Sequence, residues 1–215
     1  MILLALAATA LGPAPCAKPA DRVVARACEA QTRVDAGNWA GAQAAFEQAA
    51  NEAEAAKDAR AADLWLQAAN AALLADKPAK ALSYLAAADK DGRLRGQVAG
   101  EAALDRARAQ VALNQLPAAR SSLDAAKRLV PADPLAWLLS ATLARRQNDL
   151  ALARTDVERA LQLAPDDSSV ALEAGTIALL SGNDDAARTA WQAATRLQPT
   201  SVAAAAAARN LAQLK

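Results

Sequence analysis

The chain is 215 residues long and 54% apolar but only 3% aromatic, and it carries 24 basic and 23 acidic residues for a net charge of +1. That balance excludes a dedicated nucleic-acid binder, which needs a clear basic excess. It has no histidine at all, which removes histidine bases, histidine metal ligands and any Ser-His-Asp triad.

The N-terminus opens on an apolar run, Ile2 to Leu11, broken only by Thr9 and followed by Gly12, Pro13, Ala14, Pro15 and Cys16. Ten residues are too few to span a bilayer as a helix but suit the core of a secretory signal. No Lys or Arg precedes the run. Residues 1–20 are therefore expected to be a signal peptide or an N-terminal anchor, with an apolar tail as the alternative. A signal would place the chain in the periplasm or outside the cell; the cytoplasm is the other reading. Cys16 resembles a lipoprotein cysteine only in part, because Pro13 and Pro15 stand where leucine and a small residue are wanted. In an oxidising compartment Cys16 and Cys28 could close a disulfide. If cleavage falls after Cys16, Cys28 is instead a free thiol.

From residue 22 onward the chain is punctuated like a run of helix pairs. Two irregular units are expected over 22–91. The first carries Ala30, Ala42, Phe46 and Ala49, with Gly37-Asn38-Trp39 at its turn; the second carries Trp65, Ala69, Ala81, Leu85 and Ala88. Asn51 to Ala61 holds extra length without Pro or Gly and predicts lengthened helices. Residues 92–99, marked by Gly92 and Gly96, predict a loop between units.

Three regular units follow over 100–199. Pro131, Pro165 and Pro199 are spaced 34 residues apart, the period of a helix–turn–helix repeat. With each proline at position 32, position 8 is Ala107, Ala141 and Gly175, position 20 is Ala119, Ala153 and Ala187, and position 27 is Ala126, Ala160 and Ala194. These are small residues where helices approach most closely. Position 24 is large: Leu123, Val157 and Trp191. Asp133-Pro134 reads as an N-cap and first helical residue, and Asp167 or Ser168 caps the next unit. Asn148-Asp149 and Gly182-Asn183 are turns at equivalent places. A last helix over 200–215, opened by Thr200-Ser201, predicts a cap on the exposed end. The total is five repeats and one capping helix: eleven helices and no strand.

The pattern is similar to the tetratricopeptide repeat over nearly everything after residue 22. That resemblance implies a right-handed superhelical solenoid whose first helices line a groove through positions 2, 5, 9 and 12. Carried onto this chain, position 5 gives Leu66, Leu104, Leu138 and Leu172, position 9 gives Asn70, Arg108, Thr142 and Thr176, and position 12 gives Leu73, Val111, Arg145 and Leu179. An apolar stripe with hydrogen-bonding flanks suits a bound helix or extended peptide; the alternative is that these leucines pack against neighbouring helices. The carboxylate-clamp variant of the family is excluded, because position 5 is Leu or Ala and the third repeat offers Glu101 and Asp105 where cations are needed.

Arg120, Arg154 and Arg188 form a ladder at position 21 with acidic residues three or four positions away, so a self-neutralised face is the simpler reading. Trp39, Trp65, Trp137 and Trp191 fall where bulk is needed. No Walker loop, dinucleotide fingerprint, CxxC or HExxH is present. No catalytic residue, metal or cofactor is therefore expected. The expected role is a non-enzymatic scaffold for a protein or peptide partner in the cell envelope. Membrane contact is confined to the N-terminal segment. The alternatives are self-association into a homo-oligomer and an accessory subunit of an envelope complex.

Overall fold

The computed structural model describes Cys16 and residues 21–214. Apart from Cys16, the expected leader lies outside the described residues. Those residues form eleven α-helices and no strand, as the 34-residue frame requires. They pair as α1 (Arg22–Asp35) with α2 (Trp39–Ala55), α3 (Ala61–Leu74) with α4 (Pro78–Ala88), and α5 (Gly96–Ala112) with α6 (Leu116–Leu129). Then come α7 (Pro134–Arg146) with α8 (Leu150–Leu163), α9 (Ser168–Leu180) with α10 (Asp184–Leu197), and the single α11 (Val202–Gln213).

Capping side chains set the starts of these helices. Asp133, Asp149, Asp167, Asn183 and Ser201 each cap a helix through a side-chain oxygen that accepts a backbone N–H of the first turn. Of the two candidates before α9, Asp167 is the cap and Ser168 is the first helical residue. The turn inside every repeat has one residue in the left-handed region at the same register: Gly37, Asp76, Asn114, Asn148 and Gly182. Gly, Asn and Asp tolerate that conformation best, so the turn chemistry is the same five times over.

The irregular spacings have specific structural causes. The extra length after Ala49 runs α2 on to Ala55, as lengthened helices predict, followed by a turn in which Lys57 is left-handed (φ 54°). The loop expected over 92–99 is corrected: α5 already begins at Gly96. Ala88 to Gly96 is the same step as Ala126 to Pro134, so the added length lies in α5, which has 17 residues against 13 in α7. Residues 96–99 are thus one extra helical turn at its N-terminus. Gly92 closes a short 3-10 turn over Lys90–Gly92.

The chain divides into two compact units, one ending at Ser122 and the other starting at Leu123, within α6. In the first, consecutive helices from α1 to α5 pack in sequence order, and α3 also touches α5. Its core contains Ala30, Ala42, Phe46, Ala49, Trp65, Ala69, Ala81, Leu85 and Ala88, the small and large frame positions together. In the second, α7 to α11 pack in the same order, with α7 on α9 and α9 on α11. Its cores gather Ala141, Ala153, Val157 and Ala160, and then Ala187, Trp191, Ala194 and Ala207. Ser168 in α9 and Ser201 before α11 share a hydrogen bond of 2.9 Å, and Gln198 accepts from Ser168 at 2.9 Å, which ties the last helix down.

One pairing shows how the repeat absorbs a large residue. Trp191 stands where the preceding repeat has Val157, and position 8 changes in step from Ala141 to Gly175. A Cβ on Gly175 would lie 2.5 Å from both Cδ1 and Nε1 of Trp191. The indole Nε1 donates to the Leu172 carbonyl at 3.1 Å, which fixes the ring in place.

Candidate partner-binding site

The twelve residues expected to line a groove fall into three groups. Leu104 and Leu138 are core residues, 3% and 7% exposed, and cannot touch a ligand. Their position-5 side chains turn inward, so that part of the expected stripe is corrected to the packing alternative. Leu66 and Leu73 are half-buried on the first unit's core, and Leu172 is half-buried on the Trp191 cluster.

The polar members mostly serve the fold. Thr142 and Thr176 donate to the carbonyls of Leu138 and Leu172, four residues back, at 3.0 and 2.9 Å. Arg145 on α7 reaches Glu173 on α9, with Nε 2.6 Å from Oε1 and Nη2 3.3 Å from Oε2. Asn70 on α3 hydrogen-bonds Asp105 on α5, and Arg108 donates to the same carboxylate at 3.1 Å. Burial raises the Asp105 pKa, while Arg108 and Asn70 act to lower it. The acids Asp105 and Glu173 share position 6 and each accepts from the first helix of the preceding repeat. They are latches between repeats. Val111 is half-buried and Leu179 is 37% exposed, so these two and the outer edges of Leu66, Leu73 and Leu172 remain for a partner.

A second set of positions, not singled out by the family frame, organises the seams between second helices. Position 28 of one repeat meets positions 7 and 23 of the next. In the first seam these are Ala50, Ala68 and Tyr84, all buried. Tyr84 stacks on Trp65 with centroids 5.5 Å apart, and its hydroxyl accepts from Gln43 at 2.6 Å and from Lys80 at 3.3 Å. Burial raises the phenol pKa. In the second seam they are Asp89, Arg106 and Ser122; Arg106 and Asp89 are 4.0 Å apart, and Ser122 donates to Gln110 at 2.8 Å.

In the third seam they are Lys127, Ser140 and Asp156. Asp156 is 2% exposed; it accepts from Ser140 at 2.5 Å and from Lys127 through both carboxylate oxygens at 3.2 and 3.1 Å. The Lys127 ammonium also sits 5.2 Å from the Trp137 ring centre, whose Nε1 donates to the Pro131 carbonyl at 3.0 Å. The Ser140 hydroxyl is therefore directed at a buried carboxylate. In the fourth seam the triplet is Leu161, Ala174 and Ala190, and there the surface opens into a groove of about 520 Å³ between α8 and α10. A polar residue recurring at position 23 or 28 of a helix that should be apolar there was the available signal for these seams.

At the N-terminal end Cys16 and Cys28 are disulfide-bonded, with Cα atoms 5.5 Å apart. Asp21 caps α1 and pairs with Arg60 at 2.9 Å, and Arg60 also holds Asp58. Both acids are lowered in pKa: Asp21 chiefly by the Val24 N–H and then Arg60, Asp58 to about 2 chiefly by Arg60. Of the arginine ladder, Arg154 is exposed and Arg120 and Arg188 are half-buried. No described helix is long and apolar enough to cross a membrane.

No family model matches the sequence, and no curated protein sequence does. Solved structures do resemble the fold. YrrB, described as a TPR protein with an unusual peptide-binding site, superposes with a TM-score of 0.62 at 19% identity, over 91% of this chain and 96% of its own. TTC0263, a thermophilic TPR protein of Thermus thermophilus, gives 0.68 at 18%, over 89% and 100%. A tetratricopeptide repeat protein from Parabacteroides merdae gives 0.71 at 14%, over 89% and 73%. At these identities the likeness is one of architecture. With the register above, it establishes that the chain has the tetratricopeptide-repeat fold.

Proposed function

We propose that this chain is a non-enzymatic scaffold that binds a protein or peptide through the first-helix faces of its repeats. The observation that carries the reading is Leu179, which a core-only account would bury and which stays exposed beside half-buried Leu172. The likeness to YrrB, a peptide-binding protein of the same fold, supports it. Comparing Leu73→Glu and Leu179→Glu variants with the parent for recovery of partners by affinity purification tests it. Reduced recovery from folded variants is expected, and unchanged recovery from both would remove the assignment.

The chain works in an oxidising compartment of the cell envelope. The Cys16–Cys28 bond supports this, since such bonds persist where thiols are not kept reduced. Alkylation and intact mass of the native protein should show no free thiol; two alkylated cysteines would contradict it. A second reading, self-association, is favoured by Val202, 72% exposed on α11. Sedimentation at rising concentration decides it, because a monomer throughout rules it out.

A further inference from the structure

We propose that the fourth seam is a docking pocket for one large apolar side chain, aromatic or branched, carried by a basic partner segment. Positions 28, 7 and 23 are closed by Tyr84 in the first seam and by Lys127, Ser140 and Asp156 in the third, and are spanned by the half-buried Arg106 and Asp89 at 4.0 Å in the second. At the fourth, the same three positions are Leu161, Ala174 and Ala190, and no side chain of the seam fills the space they border. Tyr84 shows what this geometry accepts: a ring inserted between two second helices and buried to 4% exposure. The vacant seam, at about 520 Å³, has room for such a side chain and part of the segment presenting it.

The rim sets the partner's charge. Asp185 lines the groove, and Asp184 beside it is also exposed. Both carboxylates lie in the first turn of α10, so the apolar slot has an acidic edge. A Lys or Arg one helical turn from the anchoring side chain complements it. Ala171 and Ala174, which floor the groove, lie on a different face of α9 from Leu172, Thr176 and Leu179, given 100° per residue. The site is therefore separate from the first-helix face, and either can fail without the other.

The test uses the full chain and a short amidated helical peptide of Ala and Lys with one central Phe, followed by amide NMR. Saturable shifts at Ala174, Ala190 and Ala193 are expected. Replacing the peptide's Phe by Ala should weaken binding about tenfold or more. Ala190→Leu, which fills the slot from inside as Tyr84 does, should weaken the parent peptide comparably. Asp185→Lys, at an exposed position, should weaken it too and favour a Glu-containing counterpart, so the test stands even if Ala190→Leu does not fold. Equal binding by the Phe-less peptide, equal binding to both variants, or shifts confined to other helices would overturn the proposal. So would a dimer that Ala190→Leu disperses, because the occupant would then be a second copy of this chain.

Discussion

Gly175→Ala is the most informative single substitution in the fold, because two effects of opposite sign meet there. In an unencumbered helix interior, Ala is favoured over Gly by about 1 kcal/mol. Here the added Cβ would lie 2.5 Å from two atoms of Trp191, where carbon contacts settle at about 3.5–4.0 Å, so the ring must retreat by about 1 Å. The ring is buried and held by its hydrogen bond to Leu172, which puts the overpacking cost near the upper end of about 1–3 kcal/mol. The net expectation is a loss of about 2 kcal/mol, read as a fall of about 4–8 °C in Tm. In a Trp191→Leu background the clash is gone, and Gly175→Ala should instead stabilise by about 0.5–1 kcal/mol. Thermal and urea melts of the four proteins in this cycle measure the coupling directly. A Gly175→Ala protein as stable as its parent would refute the packing described for this repeat.

Other consequences follow from the seams and the N-terminal ion pairs. Lys127→Leu strands the buried Asp156 carboxylate and should cost about 3–5 kcal/mol. The triple variant Lys127→Leu, Ser140→Ala, Asp156→Ala copies the fourth seam and should recover most of that loss in a urea melt. Asp21 and Asp58 have lowered pKa values, so their contribution is present at neutral pH and lost as pH falls through the acid range toward about 2. Asp105, raised by burial, works in the opposite sense, because its protonation favours the folded chain as pH falls through its raised value. Asp58→Asn should therefore lower stability at pH 7 and flatten the acid limb of a pH-dependent melt. An unchanged acid limb would discount the Arg60 pairs.

The fold was legible because it rests on sizes. Position 20 is Ala42, Ala81, Ala119, Ala153 and Ala187, position 27 is Ala49, Ala88, Ala126, Ala160 and Ala194, and all ten are buried. Caps and turns were legible too: a left-handed turn residue favours Gly, Asn or Asp, and Asn148 and Gly182 stand 34 residues apart. Two features were not. The extra turn of α5 starts at Gly96, a residue that reads as a loop, yet it is the φ of 54° at its first position that uses the glycine. The groove was legible only in outline. Family register names a position but not the rotation of its helix, so Leu104 and Leu138 turned into the core while Leu179 stayed out. The seams were hidden because their chemistry differs at each step: an aromatic ring, a half-buried ion pair, a buried ion pair, and an open apolar groove.

Site-specific photo-crosslinking in the native cell tests the binding account most directly. A photoreactive residue is placed at Leu179 on the first-helix face, at Thr189 on the rim of the fourth seam, and at the exposed Glu158 on α8 as a control. The account predicts discrete adducts with another polypeptide from Leu179 and Thr189 that the control does not give. No adduct above the control from either position, or adducts only between copies of this chain, would contradict it.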